Sequence, residues 1–336
     1  MTRLDQLADQ AFAPVEQALD SAKLPGAALG IVDAAGQTQV RFGGVATWLP
    51  APEPLVRDTI FDLASLTKVM LTTSAVMALA GAGAVDLDRP IAHYLPDMNQ
   101  VQTDAPARAC TIRSLLSHQS GLPAWAPLYT LGTPPATLKA YLLQHVWPLG
   151  KPVYSDLNFM LLGILVERLT GAKLSAFDLG PGLTAAPAPS QCAATEQCPW
   201  RERLIRGEVH DENAFALGGL AGHAGLFGTI DGVLGFAHGL MAGTVLSADG
   251  LAEMRAPITS DRALGWQVAH PDWSGGGTCS PETIGHTGFT GTGLWIDWSK
   301  GVAWALLTNR VHPSRHRDTP IVALRQAVGN IIGMAN

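Results

Sequence analysis

Cysteine, aromatic residues and charge are all scarce in this 336-residue chain, which has four cysteines, 7% aromatic and 15% charged residues. Cys110, Cys192, Cys198 and Cys279 are too few and too scattered for a disulfide-stapled domain. Cys192 and Cys198 lie close enough in sequence to be bridged. The opening Met1-Thr2-Arg3-Leu4-Asp5-Gln6 lacks the unbroken apolar core of an export signal, so free thiols and a cytoplasmic location are expected. Neither C-x-x-C nor H-E-x-x-H occurs, and no metal or other cofactor is expected. Basic runs are missing as well. Lys+Arg total 22 against 28 Asp+Glu, a formal charge of −6, which argues against a nucleic-acid partner. The longest apolar stretches, Ser74–Val85 and Phe159–Val166, are too short to cross a bilayer, so no membrane association is expected.

What the chain does have is apolar residue, 47% of the total, enough to bury a substantial core and to exclude a disordered segment. Apolar positions recur at helical spacing over Leu4–Ala22, and Leu24-Pro25-Gly26 stops that helix. Ala27–Val32 and Thr38–Val45 read as strands joined by a turn at Asp33–Gln37. The stretch from Ser65 to about Leu79 is helical and almost wholly apolar, as a buried central helix would be. Further helices are expected at Cys110–Ser117, Thr137–Val146, Val233–Met241 and Thr319–Ile332. Another should span Asn158–Thr170, with Phe159, Leu162, Leu165, Val166 and Leu169 facing inward and Gly171 as its stop. Residues 176–225 are irregular and rich in Pro and Gly. The period then changes to strands at Thr283–Phe289, Gly293–Trp298 and Val302–Asn309. Strands at both ends around a helical middle predict an α+β fold. One antiparallel sheet would come from residues 1–60 and 255–336, a mainly helical lobe from 61–254, and the active site would lie between them.

Three short blocks carry chemistry. Ser65-Leu66-Thr67-Lys68 opens the expected buried helix and is the only S-x-x-K in the chain. Residues three apart share a helix face, so the Lys68 amine can reach the Ser65 hydroxyl. Kept neutral by burial, that amine would serve as the base a serine nucleophile needs. Tyr154-Ser155-Asp156 precedes the Asn158 helix. Tyr154 can relay a proton if cations surround it, or it can simply pack while Ser155 or Asp156 caps the helix. His286-Thr287-Gly288 lies on an expected strand and leads into Phe289-Thr290-Gly291. Small residues there let a ligand approach the strand edge, or mark a bulge. His210-Asp211-Glu212 with His223 is the densest ligand-like cluster, and in a Gly-rich loop it is expected to hold backbone rather than a metal.

In this order the blocks resemble the serine β-lactamases and penicillin-binding proteins, nearest the class C and esterase branch. The first matches S-x-x-K, the second Y-x-N with Asp156 in the Asn place, and the third K-T-G with His286 in the Lys place. Leu116-Ser117-His118-Gln119-Ser120-Gly121-Leu122-Pro123 and Gly222-His223-Ala224-Gly225-Leu226-Phe227 agree, and the likeness extends over residues 20–335. The resemblance implies an acyl-enzyme mechanism with Ser65 as nucleophile, Lys68 as base and Tyr154 as proton relay. It also implies an oxyanion hole from the N–H groups of Ser65 and Phe289, with Thr287 bonding the substrate and Gly288 giving it room. Histidine at 286 would carry less charge than lysine, and Asp156 would favour a charged Lys68. Both departures point to esters or small amides, with β-lactams and D-amino-acid peptides, or a non-catalytic sensor role, as alternatives.

Overall fold

Asp33 Oδ1 accepts the N–H groups of Ala35 and Gln37, closing the expected hairpin between β1 (Gly26–Asp33) and β2 (Thr38–Thr47). The computed structural model describes residues 2–335. It adds β3 (Glu53–Pro54), β4 (Gln267–Val268), β5 (Ile284–Thr287), β6 (Gly293–Asp297) and β7 (Val302–Thr308) to the same sheet. The strand order is β3-β2-β1-β7-β6-β5-β4, and the paired strands run antiparallel. β1 meets β7 with Ala27 opposite Thr308 and Asp33 opposite Val302. The sheet is therefore assembled from both ends of the sequence, and the fold is the α+β one that the sequence predicts.

Helices that bear on the site are α1 (Arg3–Asp20), α2 (Ser74–Gly81), α3 (Asp156–Thr170), α4 (Ile230–Met241) and α5 (Ile321–Met334). Side chains alternate across the sheet, and both faces are covered. Ala27, Leu29 and Ile31 join Trp295, Trp304 and Leu306 beneath α1 and α5. Ala28, Val32, Ala303, Ala305 and Leu307 point the other way, into the core shared with α4 and the helical region. Burial on both faces explains why β6 and β7 read as continuous apolar runs rather than alternating ones.

Two expectations change on contact with the structure. The helix expected from Ser65 is a tight turn through Thr67, a π-helix over Lys68–Thr73, and only then α2. Thr73 and Ser74 hydroxyls donate to the carbonyls five residues back, Lys68 O at 2.8 Å and Val69 O at 3.2 Å, which suits the wider π spacing. Leu169, expected inward, is 37% exposed. α3 has no inward stripe at its centre, because Leu157 through Val166 are buried all round. Short strands were beyond the reach of periodicity: Phe61–Asp62, Phe227–Gly228 and Leu183–Thr184 form a small three-stranded sheet, and β4 is two residues long. The four cysteines are free thiols. Among the described residues, no helix is long and apolar enough to cross a membrane.

Candidate active site

Ser65 follows a residue in an unusual conformation: Ala64 has φ +48°, in the left-handed region that a β-carbon disfavours. Buried Asp62 holds this turn. Its Oδ1 accepts Ala64 N–H at 2.8 Å and its Oδ2 accepts His210 N–H at 2.6 Å, although burial still pushes its pKa up. The Thr67 hydroxyl donates to Ala64 O at 2.6 Å. The result is a half-buried Ser65 on the wall of a cavity of about 790 Å³.

Lys68 lies one turn on, wholly buried, with three acceptors around its nitrogen: Ser65 Oγ at 2.9 Å, Asp156 Oδ1 at 2.8 Å and His223 O at 3.0 Å. An ammonium would donate to all three, whereas a neutral amine would donate to two and accept the Ser65 hydroxyl. Burial alone would lower the pKa of Lys68. Asp156, then Tyr154, outweigh burial and raise it above the ordinary lysine value. The direction agrees with what Asp156 in the asparagine place is expected to do, which is to favour a charged Lys68. In the charged form Lys68 donates to the serine oxygen at 2.9 Å.

Asp156 reaches Lys68 because Ser155, not Asp156, is the N-cap of α3; its hydroxyl accepts Asn158 N–H and donates to Pro123 O. Tyr154, just before the cap, sits with its ring centroid 5.1 Å from Lys68 Nζ, and Arg262 covers the same ring at 5.5 Å. His118 packs against it at 4.4 Å between centroids and accepts Ser155 N–H at Nδ1, 3.0 Å away. Burial, followed by the nearby Arg262 and Lys68 charges, holds the His118 pKa well below its ordinary value.

Replacing Asp156 with asparagine should remove the largest effect that opposes burial, and the Lys68 pKa should fall. A lysine neutral when folded but protonated when unfolded gives the unfolded chain more bound protons, so stability of Asp156→Asn rises with pH below about 10, the ordinary lysine range. Urea unfolding of wild type and variant at acid and mildly alkaline pH tests this: the deficit should narrow as pH increases. A deficit of the same size at both ends would show that Asp156 does not hold the charge.

On the sheet side, β5 brings His286 and Thr287 to the cavity, and the loop beyond it brings Gly288 and Phe289. His286 Nδ1 lies 3.0 Å from Thr287 O and so carries the proton. Burial, then the charges of Lys68 and Arg262, push its pKa well below the usual histidine value, leaving a neutral ring. Gly288 is demanded by close approach, since a Cβ there would lie 2.6 Å from Leu63 O and 2.1 Å from Thr292 Oγ1. Among the described residues, neither the Ser65 nor the Phe289 N–H donates to a protein acceptor. Thr290 and Thr292 hydroxyls donate to Asp62 O (2.7 Å) and Leu63 O (3.0 Å), tying this loop to the serine turn.

The structure thus gathers Ser65, Lys68, Tyr154, Asp156, His286, Thr287, Gly288 and Phe289 around one cavity. It resolves the His210–Glu212 cluster into two hydrogen-bonded histidine–carboxylate pairs, His210 with Glu196 at 3.0 Å and His223 with Asp211 at 2.9 Å. Local patterns missed the guanidiniums of Arg262, Arg310 and Arg325 and the half-exposed Trp125 on the same walls. Of these, Arg325 alone left a trace: it falls on the inward stripe of α5 with Ile321, Leu324 and Val328.

A family model of the beta-lactamases matches residues 12–327. The chain belongs to the beta-lactamase family. Its members are serine hydrolases. Within this family the chain is 33% identical over 325 aligned residues to the N-acetylmuramyl-L-alanine amidase of Bacillus subtilis, covering 82% of this chain and 72% of that protein. It is 31% identical over 315 residues to a putative D-alanyl-D-alanine carboxypeptidase of Escherichia coli K12, covering 78% and 71%. EstCE1, a hydrolase with promiscuous acyltransferase activity, shares the beta-lactamase fold with a TM-score of 0.76 and 23% identity, over 98% of this chain and all of EstCE1 (100%).

Proposed function

We propose that this chain hydrolyses esters or small amides through an acyl-enzyme on Ser65. The observation that carries the reading is the 2.9 Å bond from Lys68 to Ser65 Oγ at the wall of an open cavity. Ser65 Oγ attacks the substrate carbonyl, and its proton passes through Tyr154 to the leaving alcohol or amine as the carbonyl–leaving-group bond breaks. Water then attacks the ester on Ser65. Tyr154 takes a proton from that water, the acid departs, and the proton returns to Ser65. Charged Lys68 favours the serine oxygen as negative charge develops on it. The free N–H groups of Ser65 and Phe289 suit the carbonyl oxygen in the tetrahedral intermediate.

A second reading, a peptidase or amidase of anionic amino-acid derivatives, draws support from the cavity's arginines. Neutral His286 offers no cation at the place where the family has lysine, but Arg262 and Arg310 bring charge to the same cavity. The relatives named for muramyl amide and D-alanyl peptide substrates favour it too. A panel of p-nitrophenyl acetate, nitrocefin, a D-alanyl-D-alanine peptide and an N-acetylmuramyl-L-alanine amide, run beside His286→Lys, separates the two. The first reading expects ester turnover above all, with nitrocefin hydrolysis rising in His286→Lys. Preferential cleavage of the peptide or muramyl amide would decide for the second, and no turnover of any of the four would overturn both.

A further inference from the structure

We infer that Arg325 is a positioning residue for the oxyanion-binding loop: from the second turn of α5 it fixes the direction in which the Phe289 N–H points. This inference rests on the acyl-transfer reading of Ser65.

Arg325 is 7% exposed and reaches the loop from the opposite end of the sequence to Ser65. One terminal nitrogen donates to Gly288 O at 3.0 Å and to Thr292 O at 2.7 Å. A trans peptide is planar, with its C=O and its N–H directed oppositely. Gly288 O and Phe289 N–H belong to one peptide plane, so drawing that carbonyl onto Arg325 turns that N–H away from it. Other bonds hold the neighbouring planes. Arg310 Nε donates to Phe289 O at 2.9 Å, and the Thr308 hydroxyl donates to Gly291 O at 3.1 Å. With Thr290 and Thr292 bonded to Asp62 O and Leu63 O, the loop is also registered against the turn bearing the second free donor, Ser65 N–H.

The arrangement is costly for the fold alone. Among the described residues Arg325 has no carboxylate partner, and its Nε is buried without an acceptor. Burial, then repulsion from Arg310, lowers its pKa to about 9. An apolar side chain would pack on this stripe of α5 without that penalty. A charged donor, however, makes stronger bonds to carbonyls than a neutral one, and two carbonyls held by one rigid planar group leave the loop little freedom. Preorganised donors matter most where charge appears in the transition state, so the benefit is expected in the chemical step rather than in substrate capture.

The test is steady-state kinetics of wild type, Arg325→Met and Arg325→Lys on p-nitrophenyl acetate, together with inhibition by phenylboronic acid, which forms a tetrahedral anion on a serine oxygen. Arg325→Met is expected to lower kcat by on the order of 10²-fold, the scale of one lost oxyanion donor. KM should stay within about threefold, and the boronate inhibition constant should rise in proportion to the loss in kcat/KM. Arg325→Lys should recover part of the rate, since one ammonium can still reach a carbonyl. Ethylguanidine added to Arg325→Ala should restore rate as well, which a merely misfolded variant would not allow. If Arg325→Met does not fold, the lysine variant and the rescue of the alanine variant decide. The assignment is overturned if kcat holds while KM alone rises, or if rate losses occur without weaker boronate binding and without rescue. An active wild type with unimpaired variants overturns this assignment only; a wild type that turns over no ester overturns the acyl-transfer reading as well.

Discussion

Ser65→Ala is expected to lower kcat on the preferred ester by on the order of 10⁶-fold, the scale seen when a serine nucleophile is removed from a preorganised site. What remains should be the modest acceleration that donors and binding supply without a nucleophile. The change should leave the fold intact. Ser65 is half-buried, and Lys68 keeps Asp156 Oδ1 and His223 O as partners when the serine oxygen is lost. Thermal melting should therefore match wild type closely, and a covalent adduct seen by mass spectrometry in the wild type should be missing from the variant. Turnover within about a hundredfold of wild type would place the nucleophile elsewhere.

Tyr154→Phe is the second large effect, a loss of about 10²- to 10⁴-fold in kcat, the usual contribution of a positioned proton-transfer group. Its size follows from the state of Lys68. With polar partners at 2.8–3.0 Å and a pKa raised by Asp156 and Tyr154 over the opposing pull of burial, the charged form of that nitrogen is favoured, and in that form it cannot take the serine proton. Tyr154 is a proton-exchanging side chain packed against the amine, 5.1 Å from ring centroid to Nζ. Phenylalanine keeps the ring stacked between His118 and Arg262, so stability and KM should change little. A variant with wild-type kcat would show that Lys68 does the work after all, despite its charge.

The sequence was most legible where chemistry lies in short spacings. S-x-x-K placed Lys68 beside Ser65, and the Tyr154 and His286 blocks marked two further walls of the cavity. Alternation and helical period located β1, β2, β5, β6, β7 and the long helices to within a few residues. Illegible were features created by distant partners. The bond from Lys68 to His223 O spans 155 positions, and the π-helix depends on hydroxyls that compete for backbone carbonyls. Nothing local distinguishes Arg310 or Arg262 from ordinary surface arginines. Ala64 could not be read as left-handed, because alanine carries no preference for that conformation and only Asp62 and Thr67 impose it.

The seam between β1 and β7 has a consequence for biosynthesis. Gly26 donates to Asn309 Oδ1 across 283 positions, and the whole of β1 finds its second neighbour only in β7. A growing polypeptide emerging from the ribosome must therefore carry one open sheet edge until β7 has emerged. Contacts so remote in sequence close slowly, because the entropy of the intervening loop is lost before the pairing repays it. The nascent chain would display Ser65 long before β5 and its loop arrive to complete the cavity, so reactivity should appear only once they have paired, as a late event of maturation.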